Sequence, residues 1–226
     1  MRLSTFLSFR HASICAILAM ATVLLLGGCQ AAYFGALEKM GIPKREVLVD
    51  RVAKARTSQE EAKEQFASAL DKFLAITKVE PGELKERYDL LNAELKRNEA
   101  RATEVRDRLT GVRDVAEALF DEWKDELKQY SNADLRNRSA AQLEKTQRSY
   151  RDLMVVMERA SARMEPVLTA FRDQVLFLKH NLNAQAVRSL DATSQTLQAD
   201  IGRLITDMEK SIREADEFIR TLKPAD

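Results

Sequence analysis

The sequence predicts an all-α protein: an elongated antiparallel four-helix bundle, or coiled coil, with a protruding helix 2–helix 3 hairpin. Three observations predict it. Apolar residues step by four and three through long stretches without a slip, which is the period of a helix seam. Only 7 glycines and 4 prolines occur in 226 residues, mainly at the edges of those stretches. Charged residues make up 31% of the chain, and many fall at i,i+4 as opposite charges on one helix surface.

The N-terminus has the three parts of an export signal. Arg2 and Arg10 supply positive charge, and Ala12 to Leu26 is apolar apart from Ser13 and Thr22. Small residues, Gly27 and Gly28, then precede Cys29. The apolar run falls short of the ~20 residues that span a bilayer, which counts against an uncleaved anchor. The order Leu26-Gly27-Gly28-Cys29 resembles the lipobox of bacterial lipoproteins. That resemblance implies cleavage between Gly28 and Cys29 and a diacylglycerol on the Cys29 thiol. In the same class an Asp after the lipidated Cys favours the inner membrane. Here that residue is Gln30, so the resemblance implies the outer membrane, with the body on its periplasmic face.

Loss of residues 1–28, with Arg2 and Arg10, leaves 198 residues carrying 34 basic and 35 acidic side chains, a net charge of −1. That balance gives no electrostatic case for nucleic acid. Cys15 lies in the signal, so a lipidated Cys29 leaves no free thiol and no disulfide.

Residues 29–43 form a lipidated tether. Tyr33, Phe34, Leu37 and Met40 recur at helical spacing and suit a short amphipathic helix lying either on the bundle or on the membrane. Gly41 breaks it, and Pro43 suits the start of the next helix. Residues 44–226 are the bundle. A first long helix is predicted over 44–78, with the seam Leu48, Val52, Ala55, Gln59, Ala62, Phe66, Ala69, Phe73 and Ile76. Pro81-Gly82 makes the turn.

The second helix is predicted over 83–130, about 70 Å at 1.5 Å per residue. Its seam is Leu84, Tyr88, Leu91, Leu95, Asn98, Ala102, Val105, Leu109, Val112, Ala116, Leu119 and Trp123. Asn98 reads as a register-setting residue. Gly111 costs roughly 1 kcal/mol against Ala, tolerable where helices approach closely. Ser131 is the expected cap of the third helix, 133–180, whose seam runs from Leu143 and Thr146 through Tyr150, Met157, Met164 and Phe171 to Leu178. Pro166 is expected to kink it. The fourth helix, 184–222, carries Leu190, Ser194, Leu197, Ile201, Leu204, Met208, Ala215, Phe218 and Leu222. Ile205, Ile212 and Ile219 widen that stripe, which argues for more than one neighbour.

Short connections make sequential helices antiparallel neighbours. The second and third are longest, so their closed end should project ~15 Å beyond the other two. That tip holds Trp123, Lys124, Lys128, Tyr130, Arg136 and Arg138, a basic and aromatic set suited to a partner or to lipid headgroups. The alternative is ordinary helix-end decoration.

From Tyr33 on, the chain resembles a family of proteobacterial lipoproteins classed as domain of unknown function 2959. The resemblance rests on Tyr33-Phe34-Gly35-Ala36-Leu37-Glu38-Lys39, on Lys44-Arg45-Glu46-Val47-Leu48-Val49-Asp50-Arg51-Val52, and on Phe177-Leu178-Lys179-His180-Asn181-Leu182-Asn183-Ala184. It implies an all-helical envelope lipoprotein and carries over no activity and no site.

Catalytic signatures are missing from the sequence. There is no phosphate loop, no H-E-x-x-H, no C-x-x-C and no G-x-S-x-G. A di-iron bundle needs two Glu-x-x-His motifs, and the chain after residue 28 has one histidine, His180, read here as a helix-end residue. The expectation is a protein without cofactor, metal, nucleotide or nucleic acid. It would be a non-enzymatic, lipid-anchored spacer or adaptor that presents helix faces or its hairpin tip to an envelope protein or to another copy of itself. The alternative is a membrane-surface protein that senses or shapes the envelope.

Overall fold

The computed structural model describes residues 33–76, 84–181 and 184–223, with the backbone alone at residue 76 and residues 184–193. The signal segment, Gly28, Cys29, the first part of the tether, the Pro81-Gly82 turn and the seam positions Ile76 and Leu190 lie outside that description. A short helix, α1 (residues 33–39), precedes four long ones: α2 (Lys44–Ile76), α3 (Leu84–Leu127), α4 (Ala133–His180) and α5 (Ala184–Leu222). There is no strand among the described residues.

The long helices close a ring in which α2 and α4 each pack on both α3 and α5. Cross-helix partners show that neighbours run antiparallel. Arg51 meets Gly111, Glu61 meets Arg101 and Gln65 meets Glu94, so numbers fall along α3 as they rise along α2. The same holds of α3 against α4, through Arg113–Glu158 and Arg172–Glu99.

Burial follows the 4-3 seams. Every described seam residue of α2 is buried, from Leu48 to Phe73. On α3 and α4 only Tyr88, Trp123, Tyr150 and Gln174 are less than fully covered. A second buried row also exists, with Val115 and Phe120 on α3 and Met154, Leu168 and Val175 on α4. Each helix of a ring has two neighbours, so one narrow stripe cannot fill the centre. Phe73 and Phe171 meet edge to face with centroids 6.0 Å apart. Nearer the tip, Tyr150 lies between Phe120 at 5.4 Å and Phe218 at 6.4 Å. Burial pushes its phenol up to about 12.

One polar layer crosses the core. The Gln59 amide donates to the Met157 carbonyl (3.2 Å), and its carbonyl oxygen accepts from the Ser211 hydroxyl (2.6 Å). This layer ties α2, α4 and α5 at one register. Asn98, the expected register residue, turns its amide instead to the Glu94 carbonyl of its own helix, 2.9 Å away. Replacing Gln59→Leu is expected to lower the unfolding free energy by about 1–2 kcal/mol, because Leu fills similar space while the Met157 carbonyl loses a donor and the buried Ser211 hydroxyl loses its acceptor. A urea titration reads this as a lower midpoint with an unchanged slope.

Some local expectations change. α3 ends at Leu127 rather than 130, because Lys128 and Gln129 already donate to carbonyls three residues back, closing the helix with a tight last turn. Asn132, not Ser131, caps α4: its side-chain oxygen accepts from the N–H groups of Asp134 (2.9 Å) and Leu135 (3.1 Å). α4 continues through Pro166, which faces solvent. Gly111 meets a side chain rather than a helix backbone. The Arg51 guanidinium donates to its carbonyl at 3.0 Å, and a Cβ there would stand 2.9 Å from Nη1. Among the opposite charges at i,i+4, Glu104–Arg108 and Glu144–Arg148 pair. Asp216 reaches Arg56 on α2 instead, and Arg220 turns to Glu217.

Candidate functional site

The hairpin projects as predicted. α2 opens level with Glu122, which Lys44 reaches at 3.2 Å, and Phe218 near the end of α5 lies beside Tyr150. α5 ends one turn further on at Leu222; beyond it α3 and α4 continue alone, and residues 128–138 are all exposed. The tip residues do not act as one basic cluster. Trp123 is half-buried and its ring N–H donates to Ser139 at 2.8 Å, so it staples α3 to α4. Lys124 pairs with Asp121 (2.8 Å) and Lys128 with Asp125 (2.7 Å). The Lys128 ammonium also holds the Asp125 carboxyl below its ordinary range. That leaves Tyr130, Arg136 and Arg138 turned to solvent, with no ion pair to either arginine among the described residues. Leu135, 51% exposed, joins them, though the sequence reading passed over it. Its position one turn into an uncovered helix was the available signal.

The tether is the larger finding. Residues 33–39 are helical and lie on the bundle, with Phe34 only 2% exposed and Leu37 packed on the core. The Arg51 guanidinium lies over both the Tyr33 and Phe34 rings, 5.8 and 5.7 Å from their centroids. At Gly41 the backbone turns left-handed (φ +79°), and Ile42 donates back to the Leu37 carbonyl at 3.0 Å. A side chain at residue 41 would be strained there, which is why glycine ends α1. The chain then reverses, and α1 runs antiparallel to the start of α2.

Lys44 ties this turn down by bridging two carboxylates, Glu38 on α1 and Glu122 on α3. Burial and the neighbouring Glu38 raise the Glu122 carboxyl, while hydrogen bonds from Glu122 and Lys44 lower that of Glu38. Phe34→Ala is expected to free α1 without unfolding the bundle, since an isolated helix this short does not hold itself. Deuterium exchange should rise to the unprotected rate over residues 33–40 while protection of α3 and α4 stays unchanged.

One buried acid was not foreseen. Glu94 is fully buried on α3, where Gln65 (2.6 Å), Lys72 and Arg97 (2.5 Å) all donate to it. Burial alone would raise its carboxyl, but the hydrogen bonds from Arg97, Lys72 and Gln65 outweigh it and bring the group down to about 2. Gln65 and Glu94 each stand one place before a seam residue, Phe66 and Leu95. That was the signal, but it becomes readable only once the α2–α3 register is known.

No group of three or more His, Cys, Asp or Glu side chains suited to a metal occurs among the described residues. His180 is exposed at the end of α4, and Asn181 closes that helix by donating to the Phe177 carbonyl at 2.9 Å. In the cleft on α3 lined by Glu99, Glu104 and Arg108, the charged groups are already paired, Arg108 with Glu104 and Glu99 with Arg172 of α4.

The protein is thus an antiparallel four-helix bundle with a docked N-terminal helix and a projecting hairpin. It belongs to the family described as protein of unknown function DUF2959, whose model matches residues 33–222. The match begins at the first described residue of α1 and ends at the last residue of α5. No curated protein and no solved structure matches the chain.

Proposed function

We propose that this protein is a lipid-anchored, non-enzymatic adaptor on the periplasmic face of the outer membrane, holding a helical body whose hairpin tip engages an envelope partner. The observation that carries this reading is the tip itself. It stands clear of α2 and α5 and exposes Tyr130, Leu135, Arg136 and Arg138 together. Tyr and Arg are the residue types that dominate protein interfaces once desolvated. Capped by Asn132 and stapled by Trp123 to Ser139, the tip is rigid enough to bind without a large ordering cost. The anchor side of the reading rests on Leu26-Gly27-Gly28-Cys29 and Gln30.

Photo-crosslinking in living cells tests it, with probes replacing Tyr130 and Lys128 at the tip and Glu104 on the side of α3. A discrete protein adduct from the tip probes alone supports the adaptor and identifies its partner. Equal labelling from all three positions, or adducts to lipid only, would rule the tip out as a partner site.

A further inference from the structure

We infer that the bundle lies on the bilayer with the α1-bearing side of α2 and α3 facing the lipid, its long axis near the membrane plane. This rests on the proposed lipid at Cys29 and specifies how that anchor holds the body.

Reach sets the orientation. Tyr33 sits beside Arg51, which hydrogen-bonds Gly111, so the start of α1 is level with Gly111 on α3. Four peptide steps separate Cys29 from Tyr33 and span at most ~14 Å. The bilayer surface must therefore pass within that distance of the Gly111 level. From there α3 runs ~24 Å to Leu127 on one side and ~40 Å to Leu84 on the other. An upright bundle, whichever end pointed down, would push a helical end well past the headgroups.

Neither end suits that position. The tip carries Lys128, Asp134, Arg136 and Arg138, and the open end Lys85, Glu86 and Lys179, all exposed. Each charge costs ~2.5–3.5 kcal/mol at the centre of a bilayer. No helix among the described residues is long and apolar enough to cross a membrane. The long axis is then held within about 35° of the membrane plane when the tip dips, and about 20° when the open end dips.

The surface composition agrees with this side. Tyr33 (49% exposed), Met40 (74%) and Ile42 (36%) are all large apolar residues left uncovered on and just after α1. Lys39 and Arg45 are exposed within a few residues of them. Aromatic, apolar and basic side chains in this mixture suit the headgroup layer. Docking of Phe34 keeps the tether from paying out, so it is α1 that sets the orientation.

The test uses full-length protein purified from membranes with its anchor. The mass of its N-terminal peptide reads whether Cys29 carries lipid. Acylated Cys29 leaves no other thiol once residues 1–28 are gone, so one introduced cysteine labels uniquely. Donor dyes at Lys85→Cys and Ser131→Cys mark the two ends, in vesicles of phosphatidylethanolamine and phosphatidylglycerol bearing a surface acceptor. Energy transfer is expected to agree between the two ends within about threefold, as for a body lying flat. A dye at Met40→Cys should shift to the blue on reconstitution, while one at Glu214→Cys on α5 should not. A difference of about tenfold or more between the ends, or a water-exposed dye at residue 40, overturns the orientation and leaves the anchor standing. An unmodified Cys29 overturns the anchor and the orientation together.

Discussion

Exported behind an ordinary cleavable signal, the chain carrying Cys29→Ala is expected to leave the membrane fraction and become soluble, by about a hundredfold or more. Two acyl chains of ordinary length on the proposed anchor would bury on the order of 30 methylenes at ~0.8 kcal/mol each, a contribution of about 20 kcal/mol or more. What remains in the variant is the α1 surface. Partial burial of Tyr33, Met40 and Ile42 offers only a few kcal/mol, at ~25 cal/mol per Å² of apolar area. That is enough to orient a body already held at the surface and too little to hold it there. The foreign signal makes cleavage independent of residue 29. Fractionation with an inner-membrane marker reads the outcome. A variant that sediments with membranes as the parent does would show that something other than lipid at residue 29 holds it.

Removing both cations from Glu94, by Lys72→Met with Arg97→Met, is expected to cost about 3–5 kcal/mol at pH 7 and to reverse the effect of mild acid. In the native protein the Glu94 carboxyl titrates at about 2 against an ordinary 4.5. A depressed carboxyl contributes stability that is present above 4.5 and is lost as pH falls from 4.5 towards 2. The gap corresponds to something on the order of 3 kcal/mol. Without Lys72 and Arg97 only Gln65 faces the carboxyl, and burial then dominates and raises it. A raised carboxyl acts in the other direction: its contribution is full at low pH and is lost as pH rises. Urea midpoints compared between pH 7 and about pH 3.5, which spans the window below 4.5, should therefore fall on acidification in the parent and rise in the variant. Midpoints that move in the same direction would show that Glu94 is not governed by these two cations. Adding Glu94→Leu to the double variant should restore much of the loss, since an apolar triad leaves no buried charge unpaired.

These cases show which features could be read from residues alone. The seams could, because a helix that buries one side must repeat its apolar residues at 3.5 to 3.6, and Leu48 through Phe73 do so wherever the structure describes them. The projecting hairpin followed from helix lengths alone. What could not be read depends on a second helix. Gln59 looked like an ordinary seam interruption until Met157 and Ser211 came beside it. Lys124 and Lys128 looked like free cations, yet Asp121 and Asp125 lie three residues before them and neutralise them. That three-residue spacing, one turn of helix, is legible in the sequence. For α1, periodicity showed an apolar side without saying what covers it, and Phe34 on the bundle gives the answer.

The contact between α2 and α5 sets the order in which the molecule can take shape. Gln59 and Ser211 are 152 residues apart, and Arg56 and Asp216 are 160 apart. A chain emerging N-terminus first makes α2, α3 and α4 long before the 39 residues of α5 arrive. Until then the face of α2 destined for α5 stays uncovered, as does the matching face of α4. Contacts this distant form late and slowly, because the intervening chain must be brought together first. Emergence of the last helix is therefore the step that completes the core, and a chain cut short before α5 would carry two open apolar faces into a crowded compartment.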